Sequence, residues 1–474
     1  MSHQRQRAQF PLDFIPERFN PFLLRCAHAV LPVVMQMRLR SWLPAGIAEV
    51  DVTNTEELVD LYHQFQMGKI RLIMAFRHVE VDDPLSLIFL FSRAIPQVAR
   101  QKKMALHYPI HAHFMYDRGM TLWAGDWLGY FFSQLGGIPV HRGKQLDRVS
   151  LRAARELLTN GKLPFIMAPE GATNGHSDTV SPLEPGLAQL SFWCVQDLLK
   201  ANRSEPVVIV PIGIQYRYME PPWTQLDQLL SQLEADTGLP VQPIGTATLD
   251  PARPCYERIC QLGEHLLSQM GQFYQRLTHR DLPTPASPDS ATDHSQTNLD
   301  TRLQIVLDRA LGIAEQHFNL PSQGSVIERC RRLEEAGWRD IYREDLPDLN
   351  VLSPFERGLA DWIAEESEMR SRHMRLAESF VAVSETYVQD NPSVERLAEM
   401  AMLMFDLVSR IKGISTPARP RLGWRRVHLT IGEPISVSDR WPTYERDRQS
   451  AKQAVLDLTR DVQTALENMI SSDA

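Results

Sequence analysis

From about residue 69 the chain alternates short apolar runs with longer amphipathic stretches. The runs have the length of buried strands, whereas the stretches between them have helical periodicity. The predicted strands are residues 70–76, 104–107, 138–141, 163–168 and 207–215. The predicted helices are residues 85–98, 121–135, 146–158 and 187–199. Strands separated by helical stretches of about 10–15 residues predict an α/β fold, with a central, mostly parallel sheet flanked by helices.

After the fifth predicted strand the pattern changes. Residues 222–280 and 298–412 are charged and helical in periodicity, with no convincing repeat, and the polar segment 281–299 predicts a disordered linker. Strand-like alternation returns at 426–431, and a last amphipathic helix is predicted at 444–469. Because an isolated strand needs a sheet, we expect a large, mainly helical insertion within the α/β domain. The predicted parts are a membrane-proximal segment, the first part of the α/β domain, the insertion and the rest of that domain, at residues 1–44, 45–221, 222–423 and 424–474.

The N-terminal segment differs in charge from the rest of the chain. Residues 1–45 contain six arginines and two acidic residues, whereas the whole chain has 50 Lys and Arg against 58 Asp and Glu. An acidic chain is not a typical nucleic-acid binder. The apolar run 23–35 is shorter than the ~20 residues that span a bilayer, and the polar start is unlike a secretory signal. The apolar run and the residues that follow it predict either a helix in the interface of an anionic membrane or a helix packed on its own domain.

We therefore expect a cytoplasmic protein that associates peripherally with a membrane. The five cysteines are odd in number, scattered and never in a C-x-x-C pair, which indicates a reducing compartment and neither a disulfide framework nor a zinc knuckle. His107, His111 and His113 are spaced as metal ligands can be, but histidines near a sheet are more often core or surface residues. We predict no metal site.

His78 and Asp83 directly follow the first predicted strand. A histidine at the carboxyl end of a parallel strand lies where open α/β sheets bind ligands. A carboxylate a few residues later can accept the imidazole Nδ1–H, which leaves Nε2 as a base for a hydroxyl proton. The alternative is structural, because Asp83 before Pro84 also fits a helix N-cap.

Two more loops follow predicted strands. Arg142, after the third strand, offers a guanidinium fork that suits a phosphate, although a solvated loop is the alternative. Glu170, after the fourth strand, lies in a Pro-Glu-Gly turn that presents a carboxylate at the same sheet edge as His78. The G-x-S-x-G nucleophile motif does not occur. A base without a protein nucleophile indicates that the substrate itself brings the nucleophile.

In this order the motifs resemble those of the glycerolipid acyltransferase family, which includes 1-acylglycerol-3-phosphate acyltransferases. The resemblance covers about residues 45–218 and 424–440. The matching positions are His78 and Asp83 of the H-x4-D block, Gly137, Ile138, Val140 and Arg142 of the second block, Pro169, Glu170 and Gly171 of the third, and Val210, Pro211 and Ile212 of the fourth. The departures are Arg77, Glu80, Ala168 and Thr173, where the family usually has Asn, Ser, Phe and Arg.

The resemblance implies a mechanism. His78, oriented by Asp83, would deprotonate a hydroxyl of a glycerol phosphate or lysophospholipid, and that oxygen would attack the carbonyl of a fatty acyl thioester. Arg142 would hold the acceptor's phosphate. The remaining substrate-binding positions that it implies are Glu170, Gly171, Thr173 and Asn174.

The implied partners are the acyl thioester donor, the glycerolipid acceptor and an anionic membrane surface, with no cofactor. The donor is acyl-CoA or an acyl-carrier-protein thioester, and the sequence leaves both open. The competing hypothesis is a catalytically inactive lipid-surface scaffold that keeps the fold and presents the helical insertion. It is motivated by Arg77 and Glu80, because an Arg–Glu pair there would occupy Asp83 or block the acceptor.

Overall fold

The computed structural model of the chain describes residues 7–37, 46–141, 147–244, 250–279, 299–346, 348–380, 386–389, 391–414 and 417–470. Over these ranges, eight strands form one sheet with the order β1-β7-β6-β2-β5-β3-β4, and β8 pairs with β6. The strands are β1 (Ile47–Thr53), β2 (Arg71–Phe76), β3 (His113–Asp117), β4 (Gly137–Val140), β5 (Phe165–Met167), β6 (Val207–Tyr218), β7 (Arg425–Ile431) and β8 (Ile435–Ser436).

Helices precede, separate and follow these strands. In the first half of the chain they are α1 (Pro21–Gln36), α2 (Thr55–Gln66), α3 (Asp83–Phe89), α4 (Ile95–Gln101), α5 (Met120–Ala124), α6 (Trp127–Gln134), α7 (Arg148–Asn160) and α8 (Gly186–Lys200). A π-helical turn, Leu90–Ala94, joins α3 to α4. The later helices are α9 (Trp223–Thr237), α10 (Ala252–Thr278), α11 (Leu299–Phe318), α12 (Val326–Ile341), α13 (Pro354–Glu378), α14 (Thr386–Gln389), α15 (Val394–Ile411), α16 (Trp441–Tyr444) and α17 (Arg448–Asn468).

The sheet is mostly parallel. β2 is parallel to both of its neighbours, β5 and β6, while β6 is antiparallel to β7 and β8. Alternate residues of β2 enter different cores: Leu72 and Met74 pack with α2 and α4 on one face, and Ile73 and Ala75 pack with α7, α8 and α17 on the other. Side chains of a strand point alternately to the two faces, so a strand covered on both sides is apolar throughout. The predicted α/β fold, with a mostly parallel sheet and a large helical region, is confirmed.

Not every predicted element is correct. Residues 104–107 do not form a strand, and the pairing in that part of the chain begins nine residues later, at His113, whose N–H donates to Pro164 O. Leu106 is buried although it lies outside any strand, so the apolar pattern there indicates a buried segment and not a paired strand.

The β1 strand was not predicted, and it precedes the region where the alternation of strands and helices is clear. Most of its residues are exposed or half-buried, as suits an edge strand, and its apolar signal is correspondingly weak.

The chain divides into two compact units. The α/β unit comprises Phe14–His141, Asp147–Pro222 and Ala418–Ala474, and the helical unit contains Trp223–Pro417 together with residues 7–13. Within the helical unit, α10 to α13 share a core that includes Tyr274, Leu311 and Leu333. The predicted linker 281–299 lies almost entirely outside the described residues, except that Leu299 begins α11.

The helical unit contains a repeat, contrary to the expectation from its periodicity. The sequences Leu-Asp-x6-Glu-x4-Leu-Pro at 226–240 and at 307–321 end α9 and α11 in the same way. Gly238 and Asn319 follow the two helices with positive φ angles, and the next residue, a leucine, donates its N–H to the carbonyl of the repeated glutamate. This is a common left-handed C-terminal cap.

Each copy of the repeat also buries an arginine from the following helix against the same two acidic side chains. In both, the guanidinium forms a two-pronged ion pair with the glutamate and a further bond to the aspartate seven residues before it. Such planar pairs are geometrically specific. The residues are Asp227, Glu234 and Arg258 in the first copy, and Asp308, Glu315 and Arg329 in the second.

The N-terminal segment forms α1, which packs on the α/β unit through one side. Leu24, Leu31 and Met35 are buried, and Met35 belongs to the same core as Leu72. The exposed positions of α1 include Phe22, Val30 and Val33, together with Arg25. No helix within the described ranges is both long enough and apolar enough to cross a bilayer.

Candidate functional site

The carboxyl ends of β2, β5 and β6 lie at one edge of the sheet because these strands are parallel. His78 follows β2, and Glu170 follows β5. The register pairs Phe76, the last residue of β2, with Ile212, so β6 continues six residues beyond the end of its neighbour, to Tyr218. This extension brings Tyr216 over the loop that contains His78. Ligands of open α/β sheets bind at this kind of edge.

His78 and Asp83 form a close pair. His78 Nδ1 lies 2.9 Å from Asp83 Oδ2; the His78 side chain is 24% exposed, whereas that of Asp83 is fully buried. Because an ionised carboxylate only accepts hydrogen bonds, this contact assigns the proton to Nδ1 and leaves Nε2 as the acceptor nitrogen. Asp83 is the first residue of α3, and the N-cap of that helix is Asp82, whose side chain makes no capping bond. The arrangement is a partly accessible histidine held by a buried carboxylate, which is the geometry that a general base requires.

Glu170 is directed back into the protein. Its Oε1 accepts from the His78 N–H (2.8 Å), and its Oε2 accepts from the Ser181 N–H (2.9 Å) and from Asn174 Nδ2 (2.9 Å). Burial raises the pKa of the Glu170 carboxyl, while attraction by Arg77 opposes the rise. Glu170 was expected to organise the acceptor. In the structure its oxygens hold the backbone of His78 and the turn that contains Asn174.

The turn after Glu170 contains the other predicted binding positions. Gly171 has φ +73°, a backbone angle that favours glycine, and a Cβ there would lie 2.5 Å from Glu184 Oε1, so that side chain would also have to move. Asn174 links this turn to the loop that contains His78, because its N–H donates to His78 O (3.0 Å). Thr173 is exposed. Arg142 lies outside the described residues.

Arg77, one of the departures from the family pattern, is fully buried and bonds to backbone carbonyls. Four carbonyl oxygens within 3.2 Å accept from its two terminal nitrogens, three of them in the loop that follows the Glu170 turn. These are the carbonyls of His176, Ser177, Thr179 and Ile214. The guanidinium therefore ties the loop after β5 to the base-bearing loop and to β6.

Glu80, another departure, pairs with arginines from the region of β7. Arg419 Nη1 donates to Glu80 Oε2 (3.1 Å), and Arg425 Nη1 lies 3.5 Å from Glu80 Oε1. Arg425 Nη2 also donates to Asp82 Oδ2 (2.8 Å), and Asp82 is fully buried. Burial lowers the pKa of Arg425, but the attraction of Glu80 and Asp82 outweighs it and raises the pKa above its ordinary range.

The histidines of the 107–113 segment lie apart from this site. His111 is buried among Phe19, Phe91 and Phe114, and its Nε2 lies 2.9 Å from Leu135 O. No group of three or more His, Cys, Asp or Glu side chains suited to a metal occurs in the part of the chain that the structure describes.

The burial of His111 predicts that the unfolding free energy of the protein falls at acidic pH. Burial lowers the pKa of His111 from 6.5 to about 3. The unfolded chain therefore binds a proton that the folded chain excludes, so stability is retained above pH 6.5 and is lost as the pH falls toward 3. Glutamine keeps a donor for Leu135 O but does not titrate. Between pH 7 and pH 5 we therefore expect wild type to lose about 2 kcal/mol more unfolding free energy than His111→Gln does.

The measurement is urea denaturation at several pH values, with His107→Gln as the control because His107 is exposed. The same pH dependence in wild type and His111→Gln would contradict the prediction.

Three residues that contact the His78 loop, Tyr216, Arg419 and Arg425, belong to none of the sequence motifs. Tyr216 lies in a strand whose alternation marks it only as a core position. The one sequence signal for these arginines was that they cluster just before and within the predicted strand 426–431, while the His78 loop is rich in acidic residues.

A comparison with protein-family models finds a match between residues 49–215 and the family described as Acyltransferase, the family of glycerolipid acyltransferases. No curated protein sequence was found to match the chain. The matched segment spans β1 to β6 as far as Gln215 and contains His78, Asp83 and Glu170. The part of the chain that carries the candidate site, residues 49–215, is therefore an acyltransferase-family domain.

Proposed function

We propose that the protein transfers a fatty acyl group from an acyl thioester to a hydroxyl of a glycerol phosphate or lysophospholipid, with His78 as general base. The observation that supports this most directly is the 2.9 Å contact between His78 Nδ1 and Asp83 Oδ2, on a partly exposed histidine within an acyltransferase-family domain. A base of this kind contributes about 10²–10⁴ in rate.

The proposed reaction proceeds without an acyl-enzyme. His78 Nε2 accepts the proton of the acceptor hydroxyl as its oxygen bonds to the thioester carbonyl carbon. The tetrahedral intermediate collapses, the carbon–sulfur bond breaks, and the thiolate takes the proton from the His78 imidazolium. Asp83 holds the ring and stabilises its positive charge during the transfer.

Acceptor binding in this proposal needs a cation for the phosphate. Arg142 fills that role by its resemblance to the second family block, since guanidinium groups bind phosphate oxygens in pairs. Glu170 contributes indirectly, because its oxygens are engaged by His78, Asn174 and Ser181. The donor is a coenzyme A or carrier-protein thioester, and the reaction needs no other cofactor.

The test presents labelled acyl thioesters on both carriers to the purified protein. Glycerol 3-phosphate, lysophosphatidate and several lysophospholipids serve as acceptors. Formation of an acylated product identifies both substrates. The absence of product with every pair, from folded protein, would overturn the proposal. Saturable thioester binding without turnover would then favour the inactive scaffold.

Association with a membrane is proposed for the outward side of α1. Phe22, Val30, Val33 and the adjoining Met37 are each more than half exposed, although the opposite side of the helix is buried in the α/β unit. An exposed apolar patch of this kind is typical of an interaction surface, and Arg25, which is exposed on the same helix, suits an anionic one. The C-terminal residue of α6, Gln134, accepts from the Asn20 N–H, and the same helix exposes Trp127 and Tyr130. Aromatic side chains favour the membrane–water interface.

We expect the double substitution Val30→Asp and Val33→Asp to lower binding to vesicles of phosphatidylglycerol and phosphatidylcholine by about tenfold, because two apolar contacts with the interface become charged. The measurement is co-sedimentation of the full chain. Val149→Asp is the matched control, since Val149 is equally exposed but lies on α7. Unchanged binding of the double variant would rule out α1 as the attachment site.

A further inference from the structure

The carboxylate of Asp83 is held by three donors. Tyr216 donates its hydroxyl to Oδ1 (2.7 Å), while Oδ2 accepts from the Glu80 N–H (3.1 Å) and faces His78 Nδ1 at 2.9 Å. Both oxygens are therefore engaged, and the plane of the carboxylate is fixed. The Tyr216 bond is the one on the oxygen that does not face His78.

The hydroxyl of Tyr216 acts only as a hydrogen-bond donor to Asp83. Burial and the charges of Asp83 and Asp82 raise the pKa of Tyr216 well above its ordinary value, so the phenol keeps its proton at any working pH. The Arg425 guanidinium carbon lies 4.5 Å from the centre of the Tyr216 ring, and the same guanidinium bonds to Asp82. This cation–π contact restrains the ring of Tyr216.

These two residues reach the site only through the sheet. Tyr216 lies on the part of β6 that extends past β2, and Arg425 begins β7, which pairs with that same extension. Both lie outside the family match, which ends at residue 215. The strand that follows the helical unit thus supplies part of the support for the base-bearing loop.

We propose that Tyr216, braced by Arg425, is a positioning residue that fixes the Asp83 carboxylate and thereby the orientation of the His78 ring. The proposal rests on the function proposed above. A hydrogen bond from the phenol disperses the negative charge of Asp83, so its loss leaves a more localised charge facing His78. That charge favours the protonated imidazolium, and protonated His78 cannot act as a base.

Other charged groups around His78 and Asp83 also act on the protonation of His78. On the same loop and around it they are Glu80, Asp82, Arg77, Glu170, Arg419 and Arg425. None of them is altered by Tyr216→Phe, which removes one oxygen atom and keeps the ring.

The experiment compares wild type with Tyr216→Phe in the full chain. We expect kcat to fall about tenfold or more with little change in KM, and the acidic limb of the pH–rate profile to move to higher pH. Tyr62→Phe is the matched control: Tyr62 is also a buried tyrosine of the α/β unit, but its hydroxyl bonds to His111 O. We expect it to leave kcat and the pH profile unchanged.

A second readout does not depend on turnover. The titration of His78, followed by NMR of protein with ¹⁵N-labelled histidine, should move to higher pH in Tyr216→Phe, and in the same direction in Arg425→Lys, which loses the planar contact with the ring. Wild-type titration and turnover in both variants would overturn the inference. If wild type transfers no acyl group, the proposed function fails, and the His78 titration alone decides the positioning role.

Discussion

Replacing His78 by alanine is expected to lower kcat for acyl transfer by about 10²–10⁴-fold, because no other group occupies the position from which Nε2 would take the hydroxyl proton. KM should change less, since the ring contributes little to binding the rest of either substrate. The unfolding free energy should stay close to wild type because the side chain is partly exposed. The measurement is steady-state transfer with the donor and acceptor that give product with wild type.

Two further variants sharpen this test. Asp83→Asn places an amide where the carboxylate accepts from Nδ1, so its NH₂ group favours the opposite tautomer and removes the acceptor character of Nε2. We expect a loss of kcat comparable to that of His78→Ala. His107→Ala is the control, because His107 is an exposed histidine away from the site. Turnover by His78→Ala within about threefold of the control would remove His78 from the mechanism.

Replacing Arg77 by methionine is expected to cost about 3–5 kcal/mol of unfolding free energy. The guanidinium is fully buried, four backbone carbonyls accept from it, and its charge opposes the desolvation of Glu170. Methionine fills similar volume but leaves those carbonyls and the buried Glu170 carboxyl without this cation. The loop at 176–179 should loosen together with the His78 backbone that Glu170 holds.

Arg155→Met provides the matched control. Arg155 also forms a two-pronged pair, with Asp197, but its side chain is 32% exposed. A solvent-accessible pair contributes about 1 kcal/mol or less. The measurements are the urea midpoint and the amide exchange rates of residues 174–181. Equal midpoints and equal exchange rates in the two variants would show that Arg77 has no special structural role.

The arginine at position 77 also bears on the scaffold hypothesis. The sequence raised the possibility that Arg77 and Glu80 pair with each other and block Asp83. In the structure Arg77 bonds to carbonyls of the loop after β5, and Glu80 bonds to Arg419 and Arg425. Asp83 remains directed at His78. The two departures from the family pattern thus have structural partners of their own.

Some features of this protein follow from the sequence alone. The alternation of apolar runs and helical stretches is sufficient for the α/β class, because the side-chain periods of strands and helices are local properties. The H-x4-D spacing is also local: a turn at the end of β2 and the first residue of α3 bring His78 and Asp83 together within six residues. Glycine at 171 is likewise explained by its own backbone angle together with one neighbour.

Other features were decided by the tertiary structure. Tyr216 lies 133 residues from Asp83, and Arg425 lies 343 residues from Asp82, so no local spacing relates them. They meet because β6 runs past the end of β2 and β7 pairs with that extension. Glu170 follows β5 at the sheet edge, but the direction of its carboxylate depends on the distant His78 N–H. A sequence specifies which groups are present, whereas strand order and strand length determine which of them meet.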